Sequence, residues 1–177
     1  MGLVNRRDRL CLLQLSDGKG DVHLVQFARG AYDAPNLKKL LSDTERVKLF
    51  HFARFDVAII RYYLGVLPVN IYCTRTASKL VRTFTDRHGL KELCKELLGK
   101  DISKQQQSSD WGSEDLSQEQ KEYAAADVLY LHQLRDILDV MLAREGRTEL
   151  AQACFNFLPA RAMLDLSGWE ETDIFAH

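Results

Sequence analysis

A strong excess of either charge is missing. Twenty-four Lys and Arg stand against 25 Asp and Glu, for a net charge of −1. No global basic field therefore marks the chain for nucleic acid, and such binding has to come from local clusters. Asn5-Arg6-Arg7-Asp8-Arg9 and Arg82 with Arg87-His88 are the candidates, although clusters of this size are commonly plain solvated surface. Paired cysteines are missing too. Cys11, Cys73, Cys94 and Cys154 are widely spread among apolar neighbours, with no Cys-x-x-Cys spacing and no His/Cys grouping to suggest zinc. They read as reduced, buried thiols of a cytoplasmic protein. No apolar run approaches the roughly 18 residues of a membrane span, and no signal-peptide pattern opens the sequence. Internal repeats and low-complexity segments are absent. What remains is ordinary for a globular protein: 177 residues, 46% hydrophobic and 28% charged, enough for one domain with a substantial core.

Strand patterns come first. The apolar run Arg9–Leu15 ends at the turn-forming cluster Ser16-Asp17-Gly18-Lys19-Gly20, and Val22–Phe27 follows as its hairpin partner. Apolar on both faces, the first run suits an inner strand covered by helices. Pro35 opens a short helix through Leu37, Leu40 and Leu41. Val47–His51 and Asn70–Cys73 read as short buried strands, separated by a helix with Phe55, Ile59, Ile60 and Tyr63 on its apolar face. Thr74 is placed to cap the next helix. Gly89–Leu98 is amphipathic and closed by Gly99. A polar segment, Lys104–Trp111, leads to the capping box Ser117-Gln-Glu-Gln120, which starts a long helix just before Tyr123. The rest is helical by pattern to about Leu166, with a break at Gly146. Strands that alternate with helices after one hairpin predict an α/β fold.

Chemistry concentrates at three places. Tyr123 and Asp127 stand four residues apart in Tyr-Ala-Ala-Ala-Asp, on one face of a strong helix former. A carboxylate there can hold a metal ion while the phenol orients a water, but on this stretch alone a buried helix with a polar edge is the better reading. Asp56 lies just past a strand end at the opening of a helix, where ligand sites of open α/β sheets gather. Carboxylates are also common there simply because the helix dipole favours them. His51, in the same strand-to-helix turn, is more often a structural hydrogen-bonder than a ligand.

Jointly, the order of hairpin, His51-Phe-Ala-Arg-Phe-Asp56, Ser109-Asp110-Trp111 and Tyr123-x3-Asp127 resembles the ribonuclease D type of 3′–5′ exonuclease. This is the DEDD group with tyrosine in its last motif. Within it, DRHGLKELC, KQQQSSDW and the ending GWEETDIFAH resemble the single-domain nanoRNase C branch along essentially the whole chain. The resemblance implies a ribonuclease H-like (DnaQ-like) α/β fold, a mixed sheet flanked by helices, as one domain over residues 1–177. It implies hydrolysis of phosphodiesters at RNA 3′ ends, releasing nucleoside 5′-monophosphates, with dinucleotides the preferred substrate and DNA 3′ ends left open. Two Mg2+ or Mn2+ ions about 3.5–4 Å apart would clamp the attacking and leaving oxygens. Asp56 and Asp127 would hold metal. Tyr123, with an ordinary pKa near about 10, would orient the water. Leu3, His51, Arg54, Lys104 and Gln107 would contact substrate. Relatives of this type assemble as ring-like octamers, so a homo-oligomer is implied, with the 167–177 tail at an interface or docked on its own domain. A membrane is not an expected partner.

One family element is missing. The first motif, Asp-x-Glu on the first strand, would lie just ahead of Gly2-Leu3. The expectation is therefore an N-terminally shortened chain that lacks the first strand of its sheet and has little or no nuclease activity. Loss of that motif is also what a non-catalytic nucleic-acid-binding or scaffold protein on the same fold would show. A proofreading-type deoxyribonuclease is the third, weaker alternative.

Overall fold

Short side chains and glycines dictate the first tight turn. The computed structural model describes residues 8–103 and 105–177. Strands β1 (Leu12–Ser16) and β2 (Val22–Gln26) pair antiparallel, with Leu13 opposite Val25. The turn between them is held by Asp17, whose Oδ1 accepts from the Lys19 amide at 2.9 Å. Gly18 sits at φ +79°, and a Cβ there would come within 2.6 Å of the His132 ring. Only glycine meets both demands.

Helix α1 (Pro35–Ser42) opens on its proline as expected. Strand β3 (Lys48–Phe50), helix α2 (Ala53–Leu64) and strand β4 (Ile71–Cys73) form a crossover unit, with β3 and β4 parallel and Leu49 opposite Tyr72. Helices α3 (Thr74–Val81), α4 (Leu90–Leu98), α5 (Gln118–Leu129), α6 (Leu131–Arg144) and α7 (Thr148–Leu166) complete the order. The mixed α/β architecture is the one expected. Among the described residues, however, the strands form two separate two-stranded ladders rather than one continuous sheet. The expectation of a missing first strand concerns residues ahead of Asp8 and lies outside the described residues. Asp43-Thr44-Glu45, which has the Asp-x-Glu spacing, follows α1. There Asp43 Oδ1 accepts from the Glu45 amide at 2.8 Å, so it is a turn and not a strand.

Three expectations change in detail. Thr74 is already helical and makes no cap; its hydroxyl lies 3.2 Å from the Phe50 carbonyl and 2.9 Å from His51 Nδ1. The long helix begun by the capping box is interrupted at Tyr130 (φ −103°, ψ 0°), which separates α5 from α6. The cluster at Arg82, Arg87 and His88 is structural. Arg82 is buried and paired with Glu96, Arg87 shares that carboxylate at 3.4 Å, and His88 bonds Ser78 at 2.8 Å. It offers RNA little.

Two apolar clusters fill the interior. The larger joins α2, β4, α3, α4, α6 and α7, with Leu134, Leu138 and Leu142 of α6 repeating every fourth residue. The smaller packs the hairpin and α1 against Ile59, Ile60 and Leu64 of α2. Helix α2 thus faces both clusters: Ala53, Val57 and Ala58 enter one and its later residues enter the other. That wedging immobilises it.

A polar node ties α2 to α7. Asp165, 5% exposed, accepts from Arg54 Nε and Nη2 at 2.7 and 2.8 Å and from Arg161 Nε and Nη2 at 3.0 and 2.6 Å. Two guanidiniums on one carboxylate leave a surplus of donors. Carbonyls of the tail take them: Glu170 from Arg54, and Trp169 and Thr172 from Arg161. The tail therefore docks on its own domain, with Phe175 against Phe157 at 5.9 Å between ring centres. Replacing Asp165 by Ala strands two partly desolvated cations. We expect a loss of about 3 kcal/mol, the low end for a broken buried pair because Arg54 keeps some access to water. Urea unfolding measures the loss, and limited proteolysis reads release of the tail.

Candidate active site

Strand β3 ends at Phe50 and hands the chain to His51 and Phe52 before α2 begins. Phe52 adopts a left-handed conformation (φ 70°, ψ 46°), unusual for a residue with a large side chain. Such a conformation costs about 1–3 kcal/mol and persists only where the surroundings over-determine it. Here it folds the chain from strand to helix within two residues. The first turn of α2, carrying Asp56, is thereby placed at the end of the β3–β4 ladder. Arg75 of α3 lies 4.8 Å from the centre of the half-exposed Phe52 ring.

The second carboxylate comes from α5. Ser117 Oγ accepts from the Gln120 amide at 3.2 Å while Gln120 Oε1 accepts from the Ser117 amide at 2.8 Å, so the expected capping box forms. It fixes where the helix starts, and hence which face Tyr123 and Asp127 share one turn apart. Tyr123 stacks at a tilt against Trp111, 5.8 Å between ring centres.

The Asp56 and Asp127 side chains lie near enough to interact electrostatically. Asp56 is pushed up from an ordinary 3.8 to about 7, by burial first and by the Asp127 carboxylate second. Asp127 is pushed up to about 6 by burial. The Tyr123 hydroxyl is also raised, by burial and then by Asp127, so it remains a protonated donor. Cys94 of α4 borders the same carboxylate. Burial and then Asp127 push its thiol up to about 11, which leaves it an unreactive wall.

His51 is kept neutral. Burial, and then the charge of Arg75, lower it to about 4. Its Nδ1 faces the Thr74 hydroxyl, and that hydroxyl in turn reaches the Phe50 carbonyl, which assigns the proton to Nδ1. Nε2 is then a buried acceptor without a partner among the described residues. Arg54 is placed differently from an open substrate contact, since Asp165 and the Glu170 carbonyl engage its guanidinium. Gln107 is exposed in the turn before Trp111. Leu3 and Lys104 lie outside the described residues. The structure thus brings Asp56, Asp127 and Tyr123 together, sets His51 beside the turn into α2, and commits Arg54 to the α7 node. Sequence reasoning missed Arg75 and Cys94. Arg75 carries no motif signal, and Cys94, although it closes the DRHGLKELC segment, has no residue role marked there.

Would this site suit a divalent cation? Two carboxylates made costly to ionise, Asp127 by burial and Asp56 by burial and by Asp127, are what such an ion relieves. Mg2+ commonly takes one or two protein carboxylates and completes its shell with water and phosphate. Asp56 and Asp127 fit that demand for one ion. No third His, Cys, Asp or Glu joins them in a group among the described residues.

Known proteins resemble the chain in sequence and in fold. Residues 1–143 match the 3′–5′ exonuclease family. Ribonuclease D of Gluconacetobacter diazotrophicus is 40% identical over 140 residues, 79% of this chain and 35% of that protein. The chain therefore spans about a third of the length of the curated relatives it matches. Brucella melitensis NrnC, solved with bound Mg2+, is 56% identical with a TM-score of 0.95, covering 99% of this chain and 86% of that one. The same protein has been solved bound to pGG, at 57% identity, a TM-score of 0.96, and 99% and 85% coverage. Escherichia coli RNase D, an exoribonuclease involved in structured RNA processing, is 26% identical with a TM-score of 0.76, over 88% of this chain and 42% of that one. The DnaQ-like fold expected from the motifs is the fold of these nucleases, and the chain belongs to the 3′–5′ exonuclease family.

Proposed function

We propose that this chain is the catalytic unit of a metal-dependent 3′–5′ exoribonuclease that releases nucleoside 5′-monophosphates from short RNA, dinucleotides above all. The observation that carries the reading is the meeting of Asp56 on α2 with Asp127 on α5, Tyr123 one turn away. The Mg2+ and pGG found with Brucella melitensis NrnC support the cofactor and the substrate size. Near-neutral charge agrees with a substrate of few phosphates, since long strands gain affinity mainly through phosphate neutralisation.

Asp56 and Asp127 would hold Mg2+ or Mn2+, which when bound polarises the scissile phosphate and makes water more acidic. Tyr123 keeps its proton and donates it as a hydrogen bond, orienting the attacking water rather than deprotonating it. Neutral His51 braces the turn into α2 through Thr74, and its enclosed Nε2 would accept from a sugar hydroxyl only once substrate opens that turn. A two-ion arrangement needs the further carboxylates of an Asp-x-Glu, and a ring-like homo-oligomer belongs to the same proposal as what the family resemblance implies.

Turnover of a labelled dinucleotide, a longer RNA and a DNA strand, with Mg2+ or Mn2+, tests the reading. Residues 1–177 should act slowly, and a version carrying Asp-x-Glu ahead of Gly2 should act faster, on the dinucleotide most of all. In that version Tyr123→Phe should lower kcat by roughly 10²-fold. RNA binding without cleavage in both versions would instead establish a scaffold role, and preference for DNA a proofreading one.

Metal and pH test the carboxylate pair separately. Asp56 and Asp127 titrate higher in the folded chain than their ordinary 3.8. The fold therefore holds protons that the unfolded chain has already released. Their joint contribution to stability falls as pH rises from about 4 to about 7, and is flat above. Metal-free protein should lose less Tm between pH 5 and pH 8 as Asp56→Asn than as wild type. Added Mn2+ should raise the wild-type Tm more at pH 8 than at pH 5, and should leave the variant unmoved.

A further inference from the structure

The segment Ser109-Asp110-Trp111 carries no chemistry of its own, yet it is fastened with unusual thoroughness. Gln120, 9% exposed, uses both ends of its side chain. Its Oε1 closes the capping box, and its Nε2 donates to the Asp110 carbonyl at 3.1 Å. Asp110 Oδ1 accepts from the Gly112 amide at 2.9 Å, which turns the chain immediately after Trp111. From the other side, Arg9 donates to the Gly112 carbonyl at 3.4 Å. Gln26 of β2 donates to the Ser113 and Glu114 carbonyls at 2.6 and 3.1 Å. Every strap ends on backbone within two or three residues of Trp111, whose ring lies against Tyr123.

From this we infer that Trp111 and Gln120 are positioning residues for Tyr123. Trp111 fixes the plane of the phenol, and the Gln120 amide holds Trp111 in place. The inference rests on Tyr123 acting as the water-orienting group. Helix α5 cannot fix that ring unaided, because it buries only Gln120 and Ala124 and so leaves the phenol to be oriented by what covers it. A hydroxyl that aims a water is sensitive to ångström-scale displacement. One amide thus sets both the start of the helix and the loop that bears on its working face.

The two jobs of Gln120 are separable. Gln120→Glu keeps an acceptor for the Ser117 amide, in a position where a negative charge suits the helix N-terminus. It removes the donor to the Asp110 carbonyl and sets two acceptors face to face. Gln120→Ala removes both. Near-UV circular dichroism in a Trp169→Phe background reads the Trp111–Tyr123 pair in residues 1–177 without any need for turnover. The version carrying Asp-x-Glu supplies kcat and KM. We expect Gln120→Glu to keep the thermal stability of the parent yet lose the aromatic band and about 10-fold in kcat, with KM nearly unchanged. Trp111→Ala should lose the same rate, and Trp111→Phe should restore most of it. Retention of the band by Gln120→Glu, or of the rate by Gln120→Glu and Trp111→Ala, would overturn the inference. So would a rise in KM at constant kcat, which would make Trp111 a direct contact for RNA. If Tyr123→Phe itself leaves kcat unaltered, the assignment of Tyr123 falls, while the dichroism still reports whether Gln120 holds the pair.

Discussion

Two carboxylates on separate helices are forced into one poorly solvated place, and much of the fold is arranged to tolerate it. Asp56 and Asp127 would each ionise readily in water; together and crowded by protein, both resist it. Nothing in the sheet or the core gains from that encounter. It persists because α2 and α5 are held by other interactions strong enough to impose it. Such stored electrostatic cost is common at functional sites, and it is the ground for the cation proposed here.

The two helices are restrained by different means. Helix α2 buries Ala53, Val57, Ala58, Ile59, Ile60 and Leu64, wedged between two apolar clusters and pinned through Arg54 to Asp165. Dense apolar packing yields only in discrete rearrangements, so Asp56 has a firm base. The left-handed Phe52 follows from the same constraint. With β3 paired to β4 and α2 wedged in place, the connecting residue must accept the conformation that joins them.

Sequence reading recovered what local chemistry specifies. The turn at Asp17-Gly18, the proline-led α1, the Ser117–Gln120 box and the break at Gly146 each depend on neighbours a few residues away, and each forms. Asp56, Tyr123 and Asp127 were singled out by their order along the chain, and the fold sets Asp127 within electrostatic reach of the other two. What escaped depends on distant partners. Thr74 looked like a cap until the Phe50 carbonyl and His51 took its hydroxyl. Arg54 sits beside a motif carboxylate, yet its partner is Asp165, and a local pattern does not reveal an ion pair spanning 111 residues. Arg82 and Arg87 likewise read as a basic cluster until Glu96 folded back onto both.

Helix α5 is the more delicate half. It contributes little to either apolar cluster, and its contacts run instead to the hairpin and to the polar segment before it. Where hydrophobic burial is this slight, directional hydrogen bonds must supply the orientation, and each is worth only about 1 kcal/mol net. Their value here lies in specificity: an amide pairs with one carbonyl at one distance, while an apolar face slides. The hairpin thereby acquires a role beyond its own small core. Through Gln26 and the preceding Arg9 it grips the loop beside Tyr123, so the first described strands bear on the residue proposed to orient the attacking water. Asp56 is positioned by burial and Tyr123 by polar straps, and the geometry between them depends on both holding at once.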